Sequence, residues 1–470
     1  DSILKVYCIM LRIRIQDGVE HLLHEEQYGF RPKRSTSQPL FTLRRLAEIA
    51  EEGQIPSVIA FLDWEKAFDS LSHHALFRIL ERMRFPRQII DQIKAIYKGP
   101  LFKVLDPNGN SDTHHQHQGI RQGCTISPYL FNLVMHTLIH DTNRLAGRGG
   151  ISRLSEVINT SFILYADDTA VIGGPSSVNV NIHALQRQAA LIGLSLNEKK
   201  CEFLAFACDP TITYRGGKHL TRVHKAKYLG GIISDKADPT EDITNRLGIA
   251  SREFYKCKDI WDNQKLEVKW RLQIYEVKIA STLIYGTDTL TLSESQLARL
   301  DYFNARCLRR IMAIPAAYIS RVSNLTVFNR AARATGKKKY ISIGNKIRTR
   351  QYLLLGHIVR NESTTDHSKR SSIDEYGRRV TIFNKRIGRP RSKWLSSVID
   401  RIWKLLHSNG FQSYGLFYDE ANQDHIITLY GAAHDRNGPF KKPRKPGKIK
   451  DYTSKGKKGK QRNRGPKRSS

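Results

Sequence analysis

Apolar positions along this 470-residue chain change period several times, and each change marks a new element. SVIAFLDW, residues 57–64, is a short apolar run that predicts a buried β-strand. Directly after it Leu71, Ala75, Leu76, Ile79, Leu80 and Met83 recur at steps of three and four, the face of a helix, with Ser72 placed to cap its start. Asp63 therefore falls at a strand end, just before the chain turns into a helix. LFKVLDPNGNSDTHHQHQGI, 101–120, sets PNG between two strand-like arms and predicts a hairpin. In GIRQGCTISPYLFNLVMHTLIHDTNRL, Gly119 and Gly123 make a pliable loop, Ser127 can cap, Pro128 suits a first helical turn, and helical spacing continues to about Leu145. FILY and TAVI then form two arms of a hairpin with Asp167 and Asp168 at its turn. NVNIHALQRQAALIGL predicts an amphipathic helix, CEFLAFA a strand, and KYLGGIIS, 227–234, one more strand.

Beyond about Pro239 the pattern is mainly helical. In QLARLDYFNARCLRRIMAI, 296–314, Leu297, Leu300, Phe303, Cys307, Leu308 and Ile311 form one face. The sum is an α+β arrangement, a small antiparallel sheet with helices behind it, followed by a helical region. The expected divisions are 1–56, 57–235, 236–360, a linker and helical segment at 361–435, and a basic tail at 436–470. Residues 361–392 are polar, basic and weakly periodic; GRPR at 388–391 resembles the short minor-groove arms of DNA-binding proteins, but fits a plain loop better.

Composition narrows the class. A formal charge of +33 is more than a metabolic enzyme or an ordinary scaffold needs, and points to a polyanionic partner, nucleic acid before an acidic membrane surface. Residues 436–470 hold fifteen Lys and Arg against one acid, Asp451, with few apolar residues and much Gly and Pro, so this tail is expected to be disordered and to meet phosphates without sequence preference. No run of 18 apolar residues predicts a transmembrane helix. Six scattered cysteines form no CxxC or knuckle spacing, which fits a reducing compartment and argues against a zinc module. His114, His115 and His117 lie on one strand-like arm, where neighbours face opposite sides, which also argues against a metal cluster. The chain starts at Asp1, in mid-pattern and without a signal sequence, and is expected to be a fragment of something longer.

Asp167 and Asp168 pose the chemical question. Two like charges ~4 Å apart at an effective dielectric of ~20 repel by about 4 kcal/mol, so adjacency needs either solvent screening at an exposed turn or a divalent cation held by oxygen ligands. Two-metal nucleotidyl transfer needs carboxylates from separate chain segments, and Asp63 at the end of its strand is the third candidate.

At these residues a family resemblance is plain. FLDWEKAFDSLSH, GIRQGCTISPYLFN, YADD, GLSLNEKKC and KYLGG resemble, in order, the five successive palm motifs of reverse transcriptases, and QYGFRPKRSTSQ at 27–38 resembles the fingers motif upstream. With YADD rather than GDD, the set is similar to the LINE-type, non-LTR retrotransposon branch. The likeness covers roughly residues 1–235 and continues more loosely through STLIYGTDTLTL, LRRIMAIP, LLLGHIVRNE and GRPRSKWL.

The resemblance implies a right-hand polymerase with palm and partial fingers, a helical thumb, and RNA-directed DNA synthesis by two-metal transfer. It implies two Mg²⁺ ions, with Mn²⁺ able to substitute, on Asp63, Asp167 and Asp168, a backbone carbonyl near Trp64 completing a site. Phe68 would stand as an aromatic gate against the ribose 2′-hydroxyl, Gln122 and Gly123 would pack against template and incoming base, and Tyr165 beside the primer end. Lys200 would neutralise or protonate the leaving pyrophosphate, and Arg31 and Arg34 would touch template or phosphates. Asp69 is assigned to local capping. Implied partners are an RNA template, a DNA primer or target and dNTPs, with no membrane, in the nucleus; oligomeric state is left open. The chain departs from the pattern at Cys124-Thr125-Ile126, where a proline is common before Ser-Pro, and lacks the fingers segment expected upstream of Asp1 and any recognisable endonuclease. Two other readings stay open: a catalytically silent nucleic-acid binder on a reverse transcriptase fold, and a group II intron type maturase, which would need a splicing-associated domain after the thumb.

Overall fold

The computed structural model describes residues 2–360, apart from 100, 104, 107, 108 and 117, together with 393–408. His117, the linker at 361–392 with its GRPR, and the tail at 436–470 lie outside the described residues.

Helices α1 (Ser2–Val19) and α2 (Ser37–Gly53) lead into β1 (Ser57–Leu62), then α3 (Ala67–Ser70), α4 (His73–Arg82) and α5 (Arg87–Ile96). The expected cap of α4 is present, with Ser72 Oγ accepting from the Ala75 N–H. A small double hairpin follows, β2 (Leu101–Phe102) against β5 (His114–His115) and β3 (Leu105–Asp106) against β4 (Gly109–Asn110), as PNG predicts. Next come α6 (Ser127–Ala146), α7 (Arg153–Ile158), β6 (Phe162–Tyr165), β7 (Asp168–Gly173), α8 (Pro175–Ala190), β8 (Glu202–Phe206) and β9 (Thr221–Arg222). Strands β6, β7, β1, β8 and β9 line up in that order, antiparallel except for the parallel β8–β9 pair.

The central position of β1 explains why its apolar run is unbroken: every residue is buried because both faces are covered. Val58, Ala60 and Leu62 point into a core shared with Leu76, Leu130, Val134, Ile182 and Leu185 of α4, α6 and α8. Ile59 and Phe61 point the other way, against Leu43 and Ala47 of α2 and Ile158 of α7. Each Val, Leu, Ile and Phe among them contributes about 1.5–3 kcal/mol of burial free energy, so the end of β1 is held firmly in place.

Two expectations need correction. Ser127 does not cap α6: the helix already includes it, Ile126 occupies the cap position, and the Ser127 hydroxyl meets the Tyr97 hydroxyl at 3.3 Å. KYLGGIIS is not one strand but the turn of a hairpin, β10 (Lys225–Tyr228) against β11 (Gly231–Ser234). Leu229 at φ 46° and Gly230 at φ 72° take the left-handed backbone that reverses the chain.

Residues beyond Thr240 are helical as expected and build their own core. The helix Glu294–Ile311 is started by a reciprocal cap between Ser293 and Gln296 and buries Leu297, Leu300, Phe303, Cys307, Leu308 and Ile311. A helix within the expected C-terminal segment, Trp394–Ser408, packs Trp394 edge-on against Phe41 of α2, and its indole N–H donates to the Asp288 carbonyl at 2.7 Å. Among the described residues no helix is long and apolar enough to cross a membrane.

Candidate active site

Antiparallel register brings the three acids together. Leu62 of β1 pairs with Thr169 of β7, so Asp63, one residue on, stands level with Asp168 at the same end of the sheet. Asp167 lies next to Asp168 in the β6–β7 turn, where Tyr165 pairs with Asp168. The turn is braced from β1: the Trp64 indole N–H donates to Thr169 Oγ1 at 3.0 Å, and the Thr169 hydroxyl donates to the Asp167 carbonyl at 3.1 Å. The backbone at Asp63 is fastened to the segment before β8. Its carbonyl accepts from the Asn197 N–H at 2.8 Å, and the Glu65 N–H donates to the Ser195 carbonyl at 2.9 Å.

Their charges interact. Burial pushes the Asp168 carboxyl up to about 6, and the charges of Asp167 and Asp63 add to the effect. Asp167 is raised as well, by burial and by Asp63. The opposing charge is Lys200, whose ammonium is 3.5 Å from Asp63 Oδ2 on a largely exposed side chain. Three hard, oxygen-only donors with a single exposed lysine beside them are what a divalent cation of the Mg²⁺ type fits. As arranged the three do not form a finished cage: among the described residues no group of three or more His, Cys, Asp or Glu is close enough to hold an ion.

The other residues singled out in the sequence divide into two groups. Phe68, half-buried on the short α3, stacks on Phe131 of α6 with centroids 4.6 Å apart. The 119–123 loop is fastened to α3, with the Ile120 N–H on the Phe68 carbonyl and the Gly119 N–H on the Leu71 carbonyl, each at 2.7 Å. Gly119 is needed for that approach, since a Cβ there would lie 2.6 Å from the Asp69 carbonyl oxygen. Gln122 and Gly123 sit exposed at the loop tip, Gly123 at φ +78°. Asp69 is not a helix cap: its carboxylate accepts from Gln122 Nε2 at 3.3 and 3.4 Å, linking α3 to the loop. Tyr165 is half-buried, its phenol raised by burial and then by Tyr285 and Asp168.

Arg31 and Arg34 are placed otherwise than expected. Arg31 is 9% exposed, and its guanidinium is spent inside the protein on the Glu20 carboxylate at 2.7 Å and on the carbonyls of His24, Gln27 and Glu20. It braces the loop before α2 and does not reach for a template. Arg34 pairs with Glu25 and lies over the Tyr28 ring, 5.3 Å from its centroid. Sequence reasoning also missed Trp64 and Thr169 as braces. An indole beside a strand-end aspartate carried the only signal.

A family model described as "Reverse transcriptase (RNA-dependent DNA polymerase)" matches residues 3–233. The RNA-directed DNA polymerase from mobile element jockey of Drosophila melanogaster is 27% identical over 327 residues, 65% of this chain and 34% of that protein. The Retrovirus-related Pol polyprotein from type-2 retrotransposable element R2DM of the same fly is 28% identical over 206 residues, 40% of this chain and 19% of that protein. The chain thus spans about a third of the length of the first relative it matches. Among solved structures, telomerase from Candida albicans in complex with a fragment of telomeric RNA aligns at a TM-score of 0.34 and 12% identity, over 77% of this chain and 55% of that one.

Proposed function

We propose, from the match of residues 3–233 to the reverse transcriptase (RNA-dependent DNA polymerase) family model and the similarity to polymerases of non-LTR retrotransposons, that the chain extends a DNA primer on an RNA template by two-metal nucleotidyl transfer. The observation that carries the proposal is the β1–β7 register, which sets Asp63 beside Asp167 and Asp168 with their charges opposing one another.

Asp63, Asp167 and Asp168 would hold Mg²⁺, or Mn²⁺ in its place. When bound, the pair of ions supplies charge neutralisation at the triphosphate and makes the primer 3′-hydroxyl more acidic. The chain's own groups do the rest. Trp64 and Thr169 keep the Asp167 backbone fixed, so little reorganisation is needed as charge develops. Lys200, beside Asp63, is available to offset the charge of the departing pyrophosphate. Phe68, with its ring set by Phe131, is a steric filter against a ribose 2′-hydroxyl, and Gln122, Gly123 and Tyr165 supply the surface for template, incoming base and primer end. Partners are therefore an RNA template, a DNA primer or target, and dNTPs. A chromosomal DNA target would put the activity in the nucleus.

Incorporation of dNTPs on a primed RNA template should require Mg²⁺ or Mn²⁺, and Asp167→Asn should lower it by about a hundredfold or more while primer–template binding persists. Tight binding with no incorporation by the unsubstituted chain at any divalent ion concentration would make it a silent nucleic-acid binder instead.

A further inference from the structure

The β6–β7 turn has the wrong residues for its shape. It reverses the chain in two residues, Ala166 and Asp167, with Ala166 at φ +57°. Two-residue hairpins with a positive φ at the first central position ordinarily place glycine there. An alanine holds that backbone only where the surroundings over-determine it.

The surroundings come from the QYGF segment upstream of α2. Its backbone lies beside β6, with the Tyr28 N–H on the Leu164 carbonyl and the Leu164 N–H on the Glu26 carbonyl, both at 2.8 Å. The Gln27 side chain, 1% exposed, then reaches the turn itself. Its Oε1 accepts from the Ala166 N–H at 3.0 Å and from the Gly29 N–H at 2.8 Å, and its Nε2 donates to the Ala166 carbonyl at 3.3 Å. One side-chain amide thus satisfies both backbone groups of the left-handed residue. Gly29 permits the approach, because a Cβ there would lie 2.3 Å from the Ala166 nitrogen. Asn132 of α6, fully buried, donates to the Gly29 carbonyl at 2.8 Å and so ties the arrangement to the helix that carries Phe131.

We propose that Gln27 is a positioning residue for the aspartate turn, its amide clasping Ala166 so that Asp167 and Asp168 stand at a fixed height opposite Asp63. The proposal rests on the polymerase reading of that site for its catalytic consequence, but the clasp itself does not. At this depth water cannot replace the lost bonds, so an apolar side chain of similar length frees the turn without emptying the core.

Gln27→Met in the full chain tests it by hydrogen exchange, read on peptides covering 163–169, β1 and α6. Exchange in 163–169 should speed up by about tenfold with β1 and α6 protected as before. Incorporation should show a kcat lower by about 10- to 100-fold, with KM for dNTP and primer–template affinity within about threefold. If circular dichroism shows that Gln27→Met loses its fold, Gln27→Glu, which keeps an accepting oxygen for both N–H groups but loses the donor to the Ala166 carbonyl, carries the same comparison with an effect of the same sign. Unchanged exchange in 163–169 overturns the clasp, and faster exchange there with an unchanged kcat overturns its role in positioning. Absence of incorporation by the unsubstituted chain would count against the polymerase reading, and the exchange result would still decide the clasp.

Discussion

Asp168 is exposed, yet the mass of protein around it and the neighbouring acids still disfavour its charge. Its folded value, up to about 6, exceeds the ordinary carboxylate range, so at neutral pH in the absence of metal the ionised side chain opposes folding. Asp168→Asn should therefore raise the melting temperature of the chain in a chelator, by an amount worth about 1 kcal/mol after allowing for solvent screening of so exposed a group. Calorimetry in chelator checks this; a lower melting temperature would mean that Asp168 makes a stabilising contact that its charge does not reveal. The same repulsion is why the acids were legible in the sequence: adjacent carboxylates between two apolar arms need a reason to exist. Arg31 was not legible. A basic residue in a fingers-like motif looks the same whether it meets a phosphate or, as here, folds back on the Glu20 carboxylate and on the carbonyls of Glu20, His24 and Gln27 just upstream of it.

At the level of elements, α6 shows how a helix can carry pH dependence that has nothing to do with chemistry at the acids. His136 is set among core residues, and its Nδ1 accepts from the His24 backbone N–H at 3.2 Å, with the two rings 4.2 Å apart. Burial lowers its value to about 4, helped by the charges of His24, His140, Arg31 and Arg82. A base depressed on folding binds more protons in the unfolded chain between about 4 and its ordinary 6.5. Stability is therefore fully present above about 6.5 and falls as pH drops through that window toward 4. Thermal melts between pH 7 and pH 5 should show the decline, and His136→Gln, which keeps an acceptor and does not titrate, should flatten it; an equally steep decline in the variant would assign the effect to other groups. Elements were legible where period and burial agree, as in β1 and in the helix Glu294–Ile311. KYLGGIIS was misread because its turn rests on Leu229 and Gly230 and lacks the Asn-Gly or Asp-Gly signal, leaving an apolar run that reads straight through.

For the whole molecule the governing quantity is charge, and it is unevenly shared: of +33, residues 436–470 hold fifteen cations and a single acid, while 1–435 remain strongly basic by themselves. Fold class and palm motifs could be read from the sequence because each is written in residues at local spacing, whereas the joining of the 27–29 segment to α6 and to the aspartate turn depends on contacts more than a hundred residues apart. The tail needs no such contacts to act. Each cation that neutralises a phosphate releases a condensed counterion, so the logarithm of affinity falls with the logarithm of salt by about 0.9 per contact on duplex and about 0.7 on a single strand. If only about five of the fifteen tail cations engage, deleting 436–470 should flatten that slope by roughly 3.5 to 4.5. Filter binding or fluorescence anisotropy on a primed RNA template across a salt series measures it. Because the acids, Phe68 and Lys200 all lie before residue 235, the deletion should leave kcat at saturating template unchanged. An unaltered slope would put the nucleic acid wholly on residues 1–435, and a fall in kcat at saturation would mean that the tail acts at the reaction centre as well as on the phosphates.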